Sequence, residues 1–177
     1  MDGIEIYDSI LACGHKSPNS IDPVRIVFRN TLRKHICIYW IDHNGKFTFY
    51  GLLPSRKNLT IDSYTGHLWC VRCFETGNLI KLKLTHENGS SYLKEVPSID
   101  ELHNYQRNFA VFYPVEEVKS LRDILLTYFS KLPQESSIES LPLPDGITEN
   151  IIRCSQFTKN FHSQTRREVS MAMMERH

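Results

Sequence analysis

The chain has 177 residues, 41% of them hydrophobic, which is enough for one domain or two small ones with a buried core. Its net charge is +1 at pH 7 and its lysines and arginines form no block, so neither nucleic-acid binding nor attachment to a membrane is expected. Five scattered cysteines, without an export signal or an apolar run of transmembrane length, predict reduced thiols in a protein of the cytoplasm and nucleus.

The first two thirds of the chain alternate apolar and polar residues in short runs between turn residues. Asn44-Gly45 is the clearest turn signal and closes a predicted hairpin. Runs of this length and spacing favour an antiparallel sandwich or barrel over strand–helix–strand units. Residues 85–101 are polar and are expected to form a loop or a weak edge hairpin, and Pro114 is expected to end the last strand. The predicted strands are Val24–Arg29, Ile36–Ile41, Phe47–Tyr50, Leu59–Tyr64, His67–Phe74, Leu79–Leu84 and Asn108–Tyr113.

Beyond Pro114 the apolar period changes from two residues to three or four, which predicts helices. An amphipathic helix of about four turns is expected from Val118 to Leu132. A polar linker follows at Ser136–Ser140, then a second helix through Leu143–Ile152 and a third over Lys159–His177. The predicted fold class is therefore mainly β, an antiparallel β-sandwich followed by a small α-helical domain.

The segment Ile61–Trp69 predicts a strand, a tight turn and a second strand. Because side chains alternate along a strand, His67 and Trp69 share one face and Cys70 lies on the other. A histidine and a tryptophan close to the Ser63 hydroxyl form an apolar wall beside hydrogen-bonding groups. This arrangement favours a small recognition pocket, and core packing of both rings is the alternative.

Two further aromatic residues, Trp40 and Tyr50, flank the predicted hairpin. Together with Trp69 they would suit a flat alicyclic ring, while Ser63 and His67 would recognise one hydroxyl group on it. A ligand without that hydroxyl would leave the two polar groups unpaired, at a cost of about 1–3 kcal/mol. Both tryptophans could instead belong only to the core.

Metal binding and catalysis are the other chemistries that these residue types allow. The spacing His67-x-x-Cys70-x-x-Cys73 resembles a zinc motif, but the first two side chains lie on opposite faces of one strand. Ser63 could pair with His67 as in a hydrolase, yet neither a nucleophile elbow nor a glycine-rich oxyanion turn surrounds it. We therefore expect no cofactor, no metal and no catalytic residue.

The predicted helix after Pro114 carries apolar residues on more than one face. Leu121, Leu125 and Phe129 form one stripe, and Ile124 and Tyr128 lie beside it. This is more apolar surface than packing on a small sheet requires. The helix is therefore a candidate for docking into a groove of a partner protein, with core packing as the alternative.

These motifs together resemble the von Hippel–Lindau tumour suppressor family, in particular an invertebrate member of it. The resemblance is densest from Arg25 to Arg72 and extends more loosely from Asn19 to Phe157. The residues that carry it are Val27-Phe28-x-Asn30, Tyr39-Trp40 with the hairpin to Tyr50, and Ser63-Tyr64-x-Gly66-His67-Leu68-Trp69.

The resemblance implies a β-domain that binds the α subunit of hypoxia-inducible factor after one of its prolines has been 4-hydroxylated. The implied hydroxyproline pocket consists of Trp40, Tyr50, Ser63, His67 and Trp69. The implied peptide groove adds Asn19, Ile61 and Tyr64. Ile21, Gly51 and Asp62 depart from the family pattern, which leaves the preference for flanking peptide residues open.

The resemblance also implies a helical domain that docks on elongin C, the partner of elongin B. The matching elongin C-binding residues are Ser120, Leu121, Leu125 and Phe129, with Leu125 at the position where the family has cysteine. A shorter match, to a box that contacts a cullin and its RING-box protein, comprises Leu143, Pro144, Ile147 and Ile151. The expected divisions are a flexible arm at 1–18, a β-domain at 19–114, a helical domain at 115–157 and a C-terminal helix at 158–177 that packs back on the sheet.

The expected function is that of a non-catalytic substrate receptor in an elongin–cullin–RING ubiquitin ligase. It would direct hydroxylated hypoxia-inducible factor α to ubiquitination and proteasomal degradation. An adaptor that binds unmodified matrix or microtubule proteins through the same β-surface is the alternative, and a zinc-dependent enzyme is a third.

Overall fold

The computed structural model describes residues 14–104, 108–129 and 142–174. Its nine strands are β1 Pro23–Arg29, β2 Ile36–Ile41, β3 Phe47–Leu53, β4 Asn58–Tyr64, β5 Leu68–Cys73, β6 Leu79–Leu84, β7 Ser90–Ser91, β8 Lys94–Glu95 and β9 Phe109–Val115. Its described helices are α1 Ile99–Asn104, α2 Leu121–Phe129 and α3 Asp145–Met174. The predicted polar linker at 136–140 lies outside the described residues.

The strands form one sheet in the order β3-β2-β5-β6-β9-β1-β4, with β7 on β6 and β8 on β5. β6 joins two halves of this sheet, because Leu79 and Ile80 pair with β5 whereas residues 81–84 pair with β9. All pairs are antiparallel except that of β1 with β9, which is parallel. The mainly β, sandwich-like fold with helices after it is therefore confirmed, with one parallel pair that the sequence did not predict.

The main core lies between the two halves of the sheet. Phe28 of β1 contacts Trp69 of β5 with 5.6 Å between ring centroids, and Phe112 of β9 lies 5.3 Å from Phe28. Phe28 alternates with less buried neighbours along β1, as in a half-buried strand. On β5 the neighbour of Trp69, Cys70, is buried as well, because it belongs to a second cluster on the other face. The core therefore receives Trp69 from the strand that follows the Ser63–Gly66 turn.

A second cluster lies on the outer face of β2, β3 and β5, where α3 covers it. Phe161 of α3 is fully buried there, together with Tyr39 and Cys70. The turn before β6 contains Gly77 at φ +74°, and a Cβ on this residue would lie 2.7 Å from the Phe161 ring. Only glycine permits both this backbone conformation and this close approach of helix to sheet. The predicted packing of the C-terminal helix on the sheet is confirmed.

The two helices predicted after Leu143 are one continuous helix, α3, so the expected break between Ile152 and Lys159 is wrong. Its buried residues lie on one side of the helix and include Ser155 and Thr165 as well as Ile151 and Phe161. Small polar residues at these positions weaken the apolar pattern, although they face the interior. Met171, an apolar residue near the end of α3, is exposed.

Pro114 was expected to end the last strand, but it lies inside β9 and pairs with Leu82 of β6. The register of β9 with β1 stops at Phe112, so at Pro114 the strand has a neighbour on one side only. A missing N–H is tolerated where it would have no partner. The expected C-terminal boundary of this strand is therefore wrong.

The segment expected to be a loop or weak hairpin contains the short strands β7 and β8 and the first residues of α1. Ser98 and Glu101 form a capping box at the start of α1. The Ser98 hydroxyl accepts a hydrogen bond from the Glu101 N–H, and the Glu101 carboxylate accepts one from the Ser98 N–H. Leu102 of α1 is buried in the main core. None of the described helices is long and apolar enough to cross a membrane.

Candidate ligand-binding site

The predicted pocket residues Trp40 and Trp69 stand opposite each other on neighbouring strands, β2 and β5. Tyr50 reaches the same place because β3 is irregular there. Ile38 pairs with Gly51 and Tyr39 pairs with Phe49, which leaves Tyr50 as an extra residue, as in a β-bulge. Its ring meets Trp69 edge-on, with 4.9 Å between centroids, and 44% of the residue is exposed.

Ser63 faces inward from β4 and joins this group through a hydrogen bond. Its hydroxyl accepts from the Trp69 indole N–H at 3.0 Å, and both residues are buried, with exposures of 2% and 1%. Ser63 therefore fixes the orientation of the Trp69 ring. The hydroxyl keeps one hydrogen and one lone pair beyond this bond.

His67 follows the turn at Gly66 and is also buried. Its ring stacks on Trp40 at 5.2 Å between centroids and 28° between planes, and Tyr64 and His43 lie beside it at 5.2 and 5.7 Å. Burial lowers the pKa of His67, and the nearby charge of His43 lowers it further. The ring is therefore held in its neutral form, with one nitrogen able to accept a hydrogen bond.

The segment before β1 lies across the pocket. The hydroxyl of Ser20 contacts Nε2 of His67 at 3.2 Å. Ser17 is buried, and its hydroxyl accepts hydrogen bonds from the indole of Trp40 and the backbone N–H of Leu68. Pro18 packs so closely on Gly66 that a Cβ there would lie 2.8 Å from the proline ring, and Gly66 also has φ +77°. Ser17 and Pro18 fall in the expected flexible arm, and apart from the X-Pro pair no local pattern predicts this contact.

The residues predicted for the peptide groove occupy different environments. Asn19 is exposed, Tyr64 is half-buried against His67, and Ile61 is buried in the main core beneath the pocket. The nearby surface is formed by the exposed side chains of Ile21 and Asp62. Only Asn19 and Tyr64 of the three predicted groove residues thus have surface available to a ligand in this structure.

The predicted docking residues lie on α2, in which no residue is buried. Leu121 is 71% exposed, and Leu125 is exposed as well. Ser120 caps the helix, since its hydroxyl accepts from the Asp123 N–H at 3.1 Å and donates to the Asp123 carboxylate. Phe129 is half-buried at the end of α2.

The residues that match the cullin-contacting box lie at the start of α3 and are not all available. Pro144 and Ile147 are exposed, and Leu143 is half-buried. Ile151 is fully buried, so it stabilises the helical part of the protein. The side of α3 that could meet a partner here is accordingly small.

The alternative chemistries gain no support from the described residues. Cys70 is buried on the outer face of β5 with Phe161, away from the pocket that holds His67. Within residues 14–104, 108–129 and 142–174, no three histidine, cysteine or acidic side chains are grouped as metal ligands. Burial raises the pKa of Cys37 to about 12, and the charge of Glu168 contributes, so this thiol is unreactive at neutral pH.

A cavity of about 140 Å³ lies away from the pocket, between β6 and the segment that leads into α2. Lys34 pairs with Glu116 at 2.6 Å, and Lys81 pairs with Glu117 on its rim. These ion pairs hold the start of the helical part against the sandwich. The cavity contains charges of both signs and is separate from the aromatic site.

Comparison with known proteins gives one family. Residues 15–86 match the family model described as VHL beta domain. This range contains every pocket residue from Ser17 to Trp69, so the β-domain of this chain is similar to that of the VHL family. No curated protein matches the chain.

Proposed function

We propose that this chain, whose residues 15–86 match the VHL beta domain, is a VHL-family protein and the substrate receptor of an elongin–cullin–RING ubiquitin ligase. Its β-domain binds 4-hydroxyproline in hypoxia-inducible factor α, and its helices recruit the ligase. In this proposal the receptor performs no catalysis. It binds the substrate selectively and brings it close to the ubiquitin-transferring enzyme.

The observation that carries this proposal is the pairing of aromatic rings with buried hydrogen-bonding groups. Trp40 and Tyr50 offer accessible faces for a flat ring, and Ser63 and His67 lie behind them with polar atoms. Pyrrolidine packs well on such rings, and a hydroxyl group at its 4-position can reach the polar atoms. Apolar walls with few well-placed polar groups are typical of small-ligand sites.

Discrimination follows from the burial of those polar groups. When an unmodified proline fills the pocket, it displaces the Ser20 hydroxyl from His67 and water from Ser63, and nothing replaces their hydrogen bonds. Leaving a buried acceptor or donor unpaired costs about 1–3 kcal/mol, which corresponds to roughly 5- to 150-fold in affinity. The neutral form of His67 can accept the hydroxyl hydrogen, while Ser63 retains a hydrogen and a lone pair for the same group.

The proposed contact with elongin C uses the uncovered face of α2. Leu121 and Leu125 are exposed on a capped helix, as a helix that docks into an apolar groove requires. Leu125 is larger than the cysteine found in the family, so the groove of the partner must accommodate extra volume. Elongin B, a cullin and its RING-box protein complete the proposed ligase, which would act in the cytoplasm and nucleus.

The proposal is tested by titrating the full chain with two peptides that differ by one hydroxyl group. One peptide contains proline and the other (4R)-hydroxyproline, and binding is measured by calorimetry. We expect the hydroxylated peptide to bind at least about 10-fold more tightly, since the difference arises from unpaired buried groups. A peptide with (4S)-hydroxyproline is the matched control, because its hydroxyl projects from the opposite face of the ring.

Equal affinities for the proline and (4R)-hydroxyproline peptides would reject the hydroxyl-reading function. They would favour the alternative, an adaptor that binds unmodified proteins through the same surface. Equal affinities for the two hydroxyproline isomers would show that the hydroxyl is recognised only as a polar group, and not by Ser63 and His67 in a fixed geometry.

A further inference from the structure

Ser17 has an unusual number of hydrogen bonds for a residue outside the regular strands. Its hydroxyl accepts from the Trp40 indole N–H at 3.0 Å and from the Leu68 backbone N–H at 2.9 Å, and it donates to the carbonyl of Ile41. A hydroxyl has one hydrogen and two lone pairs, so all three are used. Only 3% of the residue is exposed.

The backbone of Ser17 is also bonded at both of its polar atoms. Its N–H donates to the carbonyl of Asp42 at 3.2 Å, and its carbonyl accepts from Nδ1 of His43 at 3.2 Å. Because Pro18 follows, Ser17 is biased toward extended backbone, which suits a segment that runs along a sheet edge. One residue thus joins the N-terminal segment to the hairpin and to the start of β5.

The position of Ser17 in the sheet explains why a hydroxyl is needed. Ile41 and Leu68 are the last pair of residues in register between β2 and β5. The Ser17 hydroxyl donates to the carbonyl of Ile41 and accepts from the N–H of Leu68. It therefore completes the hydrogen bonding between β2 and β5 at the point where the two strands separate. The same oxygen receives the N–H of Trp40, the residue whose ring stacks on His67.

We propose that Ser17 is a positioning residue of the binding site, which fixes the indole of Trp40 and through it the stacked ring of His67. The inference rests on the proposed function, because it holds that Ser17 orients the Trp40 ring on which the ring of the ligand packs. The segment from Ser17 to Ser20 is therefore part of the recognition site. Loss of the hydroxyl leaves Trp40 without its acceptor and lets the ring turn away from the position the ligand needs.

The first readout is independent of any ligand. The indole N–H resonance of Trp40 in ¹H–¹⁵N spectra reports its hydrogen bond, and Trp69 supplies an internal reference within the same protein. We expect Ser17→Ala to move the Trp40 resonance toward the position of an indole bonded to water and to leave that of Trp69 in place. Ser17→Thr keeps the hydroxyl and should leave both resonances near their wild-type positions.

The second readout is peptide affinity. Ser17→Ala should weaken binding of the (4R)-hydroxyproline peptide by about 10-fold, because the Trp40 indole loses its hydrogen-bond acceptor and its position. Ser17→Thr keeps the hydroxyl and should retain most of the affinity. Ser55→Ala is the matched control, because the Ser55 hydroxyl also donates to a backbone carbonyl, that of Leu32, at the other end of β3. We expect this control to leave affinity within about two-fold of wild type.

A double-mutant cycle separates positioning from general stabilisation. If Ser17 acts through Trp40, then Ser17→Ala should have less than about two-fold effect on affinity in a Trp40→Phe background, where the indole N–H is absent. An equal loss in both backgrounds, or an unmoved Trp40 resonance, would overturn the proposal. If Ser17→Ala does not fold, Ser17→Cys, which is similar in size and a weaker hydrogen-bonding group, takes its place in both measurements.

Failure of this inference can be told from failure of the proposed function. A wild-type protein that binds both peptides equally rejects hydroxyl reading, whatever Ser17 does. A wild-type protein that discriminates, together with a Ser17→Ala variant that folds and binds as wild type, rejects only the role of Ser17.

Discussion

In the pocket, Ser63, His67 and Trp69 are almost fully buried, and hydrogen bonds within the chain already orient them. On α2, by contrast, no residue is buried, and Leu121 and Leu125 face solvent. The pocket is organised before any ligand arrives, whereas the helix keeps its apolar surface uncovered. In the proposed function the two regions would use binding energy differently, because the pocket would gain specificity from fixed groups and the helix would gain affinity from buried area.

Among the substitutions proposed here, a charge on the apolar face of α2 should weaken binding most. Leu121→Asp puts a carboxylate where an apolar groove of elongin C is proposed to bind, so co-purification of the two proteins should be lost. Arg122→Asp is the control, since it adds a carboxylate at the next position of the same helix. If the Leu121 variant still co-purifies with elongin C, the apolar face of α2 is not the docking surface.

Removal of the Ser63 hydroxyl should affect both binding and stability. Ser63→Ala leaves the buried Trp69 indole N–H without an acceptor, which should lower the free energy of unfolding by about 1–3 kcal/mol. Affinity for the hydroxyproline peptide should fall by about 10-fold or more for the same reason. Chemical denaturation and calorimetry measure the two effects.

Ser63→Ala paired with Trp69→Phe distinguishes the two roles of the hydroxyl. Phenylalanine needs no acceptor, so Ser63→Ala should cost little stability in that background while the loss of affinity persists. An unchanged affinity for the hydroxyproline peptide in Ser63→Ala would contradict the hydroxyl-reading role.

The pH dependence of binding should follow His67. Its pKa lies below the ordinary value of 6.5 because of burial and, secondarily, the charge of His43. Affinity for the hydroxyproline peptide should therefore stay constant from pH 8 to about 6.5 and decline only at lower pH, where His67 takes up a proton. Since the unfolded chain takes up that proton first, the free energy of unfolding should also begin to fall as pH drops below about 6.5.

His43→Phe provides the control for this pH dependence. Without the neighbouring charge, the pKa of His67 should rise, and the decline in affinity should begin at higher pH. Titration of the histidine ring protons by NMR measures the shift directly. An identical pH profile in wild type and His43→Phe would show that His43 does not influence the pocket.

Ser20 should give the smallest effect. Its hydroxyl contacts Nε2 of His67 at 3.2 Å, and a ligand hydroxyl that donates to this nitrogen has to displace Ser20. Ser20→Ala should raise affinity by about two- to five-fold for the proline and hydroxyproline peptides alike, since both displace the same bond. A lower affinity would mean that Ser20 supports His67 instead of competing with the ligand, and Ser20→Thr should behave as wild type.

Much of the pocket could be predicted from the sequence because strand periodicity is strict. The two-residue period predicted that His67 and Trp69 face away from Cys70, and the structure confirms it. β6 was predicted at its observed bounds, since turn residues enclose it on both sides. The bulge that turns Tyr50 toward Trp69 was missed, although Gly51 beside it is a known signal for such an irregularity.

The features that were missed depend on contacts between distant segments. Ser17 has no local signal, because its role arises from atoms of Trp40 and Leu68 far along the chain. The start of α1 carried a recognisable capping box that was overlooked, whereas the continuity of α3 is concealed by Ser155 and Thr165 on its buried side. Local pattern thus predicted strands and faces, and tertiary packing decided helix length and the role of the N-terminal segment.

The continuity of α3 has a mechanical consequence. Thirty residues of helix measure about 45 Å, and this single element packs near its start against α2 and further along, at Phe161, against the sandwich. Such a long helix resists bending, so it holds α2 at a fixed angle to the sandwich. In the proposed ligase, α3 would therefore set how far the captured substrate stands from the ubiquitin-bearing enzyme, and hence which of its lysines lie within reach.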